Sequence, residues 1–150
     1  MNSEMDSLQN KFLSGASSPM PDGFYHGKLL HLIPEYTVEH LGAFISQLWM
    51  PWKGKWFQAA AHRGDNIIEP TAKRLFELRN PKEPLGDLEY GGYHSFSFSM
   101  NQKPSIVDPR EVIALDYDVH SNSDVVRQVI DEIVCVDESD YIGKAYLKED

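Results

Sequence analysis

A chain of 150 residues, 41% hydrophobic and 11% aromatic, can enclose one hydrophobic core and is too short for two comfortable ones. Acidic residues number 23 against 14 basic ones, and the resulting net charge of -9 repels phosphate backbones and anionic lipid, so neither nucleic acid nor a membrane surface is expected as a partner. Cys135 is the single cysteine, which excludes an internal disulfide and a cysteine-rich zinc site.

The opening stretch MNSEMDSLQNKFLSGASS lacks a basic start followed by an apolar run, and no apolar stretch approaches the ~20 residues that span a bilayer. A cytoplasmic protein is the expectation. Residues 1–21 are polar and end in a Ser and Pro cluster, which predicts a flexible leader with one helical turn at most, around Leu8 to Leu13. The domain then runs over residues 22–150. Asp22-Gly23 is a turn signal, and residues 24–33 (FYHGKLLHLI) read as a first strand in which Gly27 suits a bulge or close packing.

Thr37 is a candidate helix cap, and Val38, Leu41, Phe44, Ile45 and Leu48 fall at helical spacing, so residues 38–49 predict an amphipathic helix ended by Pro51. Residues 52–57 (WKGKWF) have the most unusual local composition of the chain. Extended, they place Trp52, Gly54 and Trp56 on one face and Lys53, Lys55 and Phe57 on the other. Two readings stay open: tryptophans in the core with solvated lysines, or an indole on the wall of a ligand cavity.

Residues 62–66 read as a turn, 67–68 as a short strand, and 69–79 as either a short helix or a strand. The Pro- and Gly-rich residues 80–92 predict a loop long enough to act as a mobile flap. Residues 93–100 (YHSFSFSM) alternate, with His94, Phe96, Phe98 and Met100 on one side and Tyr93, Ser95, Ser97 and Ser99 on the other. A second loop covers 101–110.

The last third carries three apolar runs. In residues 112–120, Ile113, Leu115, Tyr117 and Val119 share one face, and Val112, Ala114, Asp116, Asp118 and His120 the other. The acidic face is open to three readings: a solvated outer surface, a polar cavity lining, or a metal or acid–base site that lacks a fourth ligand nearby in sequence. A short helical turn is expected to begin at Asn122 or Ser123, and residues 129–136 and 141–147 form a hairpin through 137–140. Cys135, within an apolar strand, is expected to be buried and inert. Together the elements predict a mainly β protein, α+β at the margin: an antiparallel β-barrel of six to eight strands with one main helix.

Trp52, Gly54, Lys55 and Phe57 resemble the segment that names the bacterial GXWXG family, although Met50 and Pro51 stand where its first glycine is expected. Tyr117-Asp118, Arg127, Val129, Asp131 and Gly143 are similar to the domain of unknown function that usually follows it. The resemblance implies an antiparallel lipocalin-like, or calycin, β-barrel and names no substrate or catalytic residue.

The leading functional expectation is a barrel that holds a small hydrophobic or aromatic ligand against Trp52 and Trp56, oriented by His94, Asp116, Asp118 or Arg127. An isomerase, dehydratase or cyclase using Asp116, Asp118 or His120 as base is the alternative, and a homodimeric interaction module a third. The cofactor is unknown; haem could use one of the six histidines, none of which has a distinguishing context.

Overall fold

The computed structural model describes residues 3–28, 52–79 and 85–148. The expected helix at 38–49 and the second half of the first expected strand lie outside the described residues, as do residues 80–84 of the expected flap.

The chain opens with α1 (Ser3–Ser14), where the sequence reading placed a loose leader. Glu4 and Asp6 in the first turn and Lys11 in the last complement the helix dipole. Met5, Leu8 and Phe12 follow helical spacing and face inward, and Phe12 is buried against Val112 and Val134. Beyond the helix, Ala16 pairs with Cys135 through two backbone hydrogen bonds of 2.9 and 2.8 Å. The polar composition of this segment hid a three-turn helix because only one strip of it needs to be apolar.

Among the described residues, eight strands make one antiparallel sheet. They are β1 (Gly23–His26), β2 (Trp52–Gln58), β3 (Arg63–Ile68), β4 (Leu88–Glu89), β5 (Gly92–Pro104), β6 (Glu111–Asp116), β7 (Val129–Asp137) and β8 (Asp140–Leu147). Their order is β1-β2-β3-β5-β6-β7-β8, with β4 paired to β5 as a short appendage. The sheet curls into a half-barrel. Among the described residues no ladder joins β1 to β8. Side chains link the two ends: the Tyr25 and Tyr141 rings meet edge to face at 5.5 Å, and the Tyr141 hydroxyl donates to the Pro19 carbonyl at 2.6 Å.

Residues 59–61 form a single 3-10 turn that His62 ends in the left-handed conformation, at φ 53°. The expected turn at 62–66 is thus displaced toward the N-terminus, and Arg63 to Asn66 belong to β3. The ambiguous 69–79 stretch is helical: a 3-10 turn (Pro70–Ala72) leads into α2 (Lys73–Arg79), whose buried Phe76 meets the Phe96 ring at 5.2 Å. Tyr90 and Gly91, at φ 54° and 72°, make the tight turn between β4 and β5, and β5 continues to Pro104 instead of stopping at Met100.

Two bulges set which residues face inward. In β2, Trp52 pairs with Ile68 and Gly54 with Ile67, so Lys53 is an extra residue. In β5, Ser95 pairs with Asn66 and Phe98 with Gly64, so Asp65 faces two residues, and Phe96 takes the left-handed conformation at φ 48°. Each bulge reverses the alternation downstream. Trp52, Lys55 and Phe57 therefore share the inner face while Trp56 points outward, and the two indoles are not neighbours on one wall. Ser95 and Phe96 both turn inward, leaving His94 and Ser97 together on the outside.

The concave core contains Phe57, Phe96, Phe98, Ile113, Leu115 and Ile133, among others. A smaller outer core of Phe12, Val112 and Val134 lies under α1, so both faces of β6 are covered along residues 112–115. No described helix is long and apolar enough to cross a membrane.

Phe12 is the anchor of α1, and replacing it removes a buried ring. Phe12→Ala should lower unfolding stability by ~3 kcal/mol in a urea titration. A loss below about 0.5 kcal/mol would mean that the helix does not dock on the sheet.

Candidate functional site

In the middle of the apolar concave face lies a group of buried polar side chains. Lys55 on β2 pairs in the ladder with Asn66 on β3, and Asn66 with Ser95 on β5, which puts all three on one side of the sheet. Tyr117, just past β6, and Asp131 on β7 reach them from across the curl. The Lys55 ammonium donates to Asn66 Oδ1 at 2.7 Å and to the Tyr117 hydroxyl at 2.6 Å, and lies 3.1 Å from Asp131 Oδ2. Tyr117 donates onward to the same Asp131 oxygen at 3.0 Å. Asn66 Nδ2 is shared between the Phe96 carbonyl at 2.9 Å and the Tyr117 hydroxyl at 3.0 Å.

This network is out of water: Lys55 is 7% exposed and Asp131 3%. Burial lowers the Lys55 pKa, opposed by the Asp131 charge, and burial followed by the Asp131 charge pushes the Tyr117 phenol well up. Three rings, those of Trp52, Phe98 and Tyr117, have centroids 5.4 Å from the ammonium. Trp52 is half-buried and lies at the margin of the sheet, flat against Gly27, where a Cβ would come within 1.9 Å of the indole. Asp131 Oδ1, although buried, has no hydrogen-bond donor among the described residues.

On the convex side a second constellation forms around Asp65. Its carboxylate accepts from Ser97 Oγ at 2.5 Å and from His94 Nδ1 at 2.9 Å, the tautomer being the one this bond requires. His94 Nε2 is buried without a hydrogen bond among the described residues, and Glu89 Oε2 lies 3.5 Å away. The Trp56 ring meets His94 edge to face at 5.2 Å, and Tyr90 stacks between Trp56 and Phe24.

Of the residues singled out from the sequence, the structure thus unites Trp56 with His94 and separates both from Trp52. Asp116 forms an ion pair with Lys148 at 2.5 Å. Asp118 and Arg127 pair at 2.7 Å on the exposed surface, where the Arg127 hydrogen bond and charge lower the Asp118 pKa. His120 is exposed. None of these reaches the concave interior, so the acid–base role weighed for Asp116, Asp118 and His120 loses its geometric basis. Cys135 is half-buried, not buried as expected. Among the described residues, no group of three or more His, Cys, Asp or Glu could hold a metal ion.

Sequence reasoning passed over Lys55 as a site residue, reading it on a solvated face, and singled out neither Asn66 nor Asp65. One available signal was that Tyr117 falls on the apolar face of its strand, where a phenol requires a partner.

Because the folded protein holds the Tyr117 proton far above the ordinary tyrosine value of 10.0, the native state binds more protons than the unfolded one at high pH. Stability contributed by this group is therefore present below pH ~10 and lost as the pH rises beyond it. Unfolding titrations should show a shallower alkaline loss for Tyr117→Phe than for the native chain. Equal slopes would place the phenol in a water-exposed setting.

Comparison of the chain with family models, with curated proteins and with solved structures returned no match.

Proposed function

We propose that this protein binds a small, flat, largely apolar molecule on the concave face of its sheet, with the ligand's body against Trp52 and one hydrogen-bond donor of the ligand on Asp131 Oδ1. One observation carries this reading: a buried charged network, in which one carboxylate oxygen has no donor among the described residues, lies beneath a half-buried indole at the sheet margin. An ion pair taken out of water seldom repays its desolvation, and well-packed apolar residues would serve stability as well or better. A network of that cost is more readily understood as a specificity element, because binding sites combine an apolar wall with a few fixed polar groups. The resemblance of Trp52, Gly54, Lys55 and Phe57 to the GXWXG segment is in keeping with a lipocalin-like ligand binder, and that kinship is part of the proposal.

A second reading has one specific observation behind it. His94, oriented by Asp65 and with Nε2 lacking a hydrogen bond among the described residues, has the arrangement of a general base. In that case the aromatic ledge of Trp56 and Tyr90 would seat the substrate on the convex side.

Variants tell the two apart. With a panel of fatty acids, haem and aromatic metabolites followed by calorimetry, Trp52→Leu should weaken binding of any hit about tenfold, in line with ~1.5 kcal/mol for a lost aromatic contact. Trp56→Leu and Asp118→Asn should leave it unchanged. The reverse pattern, with Trp56 sensitive and Trp52 indifferent, would move the ligand to the convex side and end the proposal.

A further inference from the structure

The concave network has the parts needed for covalent capture of a carbonyl group, and this inference rests on the ligand-binding reading above. We propose that Lys55 Nζ forms a reversible imine with a small aldehyde or ketone whose apolar body lies against Trp52. Imine formation requires an amine, an acid that can give a proton to the carbonyl oxygen, and a base that can hold the proton the amine gives up. Each is within reach: the Tyr117 hydroxyl is 2.6 Å and Asp131 Oδ2 3.1 Å from Nζ, and Asn66 Nδ2 holds the Tyr117 oxygen from 3.0 Å. Burial among Trp52, Phe98 and Tyr117 keeps bulk water away, and this desolvation disfavours the charged form although the ring faces themselves attract it.

The steps balance without a co-reactant. The Lys55 ammonium passes one proton to Asp131, and the free amine attacks the carbonyl carbon, forming the C–N bond as the C=O electron pair moves to oxygen. Tyr117 protonates that oxygen and recovers a proton from the new ammonium, leaving a neutral carbinolamine. Its hydroxyl meets Asp131 Oδ1, the oxygen without a donor among the described residues. Asp131 then returns its proton to the hydroxyl, water leaves, and the nitrogen lone pair closes the C=N bond. Asn66 acts as a positioning residue, through Tyr117.

The test uses the full chain, benzaldehyde as probe and sodium cyanoborohydride as reductant at neutral pH, followed by intact mass and peptide mapping. The expected result is one benzyl group on Lys55 ahead of every other lysine, with Lys53 as the internal comparison. Tyr117→Phe should slow trapping by about 100-fold, the lower end of general acid–base assistance. Lys55→Met should abolish the adduct, and should that variant not fold, site mapping on the native chain decides alone. Labelling spread evenly over the lysines, or sparing Lys55, overturns the imine. If quenching by benzaldehyde then persists and is lost in Trp52→Leu, ligand binding stands without it; if quenching is absent too, both fail.

Discussion

A lysine ammonium buried among apolar side chains must find a carboxylate and further acceptors, and in this protein that requirement ties together strands distant in sequence. Lys55 meets Asp131 at 3.1 Å only if β2 and β7 face each other across the curl, and Tyr117 joins them only if the chain leaves β6 pointing inward. Asn66 completes the set through the β2–β3 ladder. The apolar residues around them supply the collapse, but any curled sheet of similar pattern would do that. Direction comes from the polar network, since a slip of one residue in β2 would turn Lys55 to solvent and leave Asp131 and Tyr117 buried with one partner fewer.

The bulges at Lys53 and Phe96 are what make this register attainable. The first allows Trp52 and Lys55, three apart in sequence, to occupy the same side, and the second brings Ser95 and Phe96 inward together. They also give the protein two chemically distinct sides. The concave one holds a charged network in an apolar setting; the convex one holds Asp65, His94 and Ser97 under a ledge of stacked rings.

These bulges also explain what could and could not be read from the residues alone. The final hairpin and the inward set Ile113, Leu115 and Tyr117 follow from simple alternation, and the structure has them as the alternation implies. Alternation fails across an inserted residue: on alternation alone Trp52 and Trp56 share one face and Lys55 takes the other. Asp65 and Asn66 look like turn formers because locally they are; in β3 their side chains are satisfied by His94, Ser97, Tyr117 and Lys55, partners 11 to 51 residues away. The N-terminal helix was missed for a related reason, its single buried ring being too sparse a pattern to outweigh eleven other residues of mostly polar character.

The account holds that the buried pair serves a ligand more than it serves the fold, and the double variant Lys55→Met/Asp131→Leu examines this directly. Its unfolding free energy and its affinity for whichever ligand the native chain accepts would be measured together. The prediction is a chain no less stable than the native one, since apolar replacement of a buried pair is often neutral or stabilising by ~1–4 kcal/mol, that has lost its ligand. A double variant that binds as tightly as the native protein, or one destabilised by several kcal/mol, would contradict it.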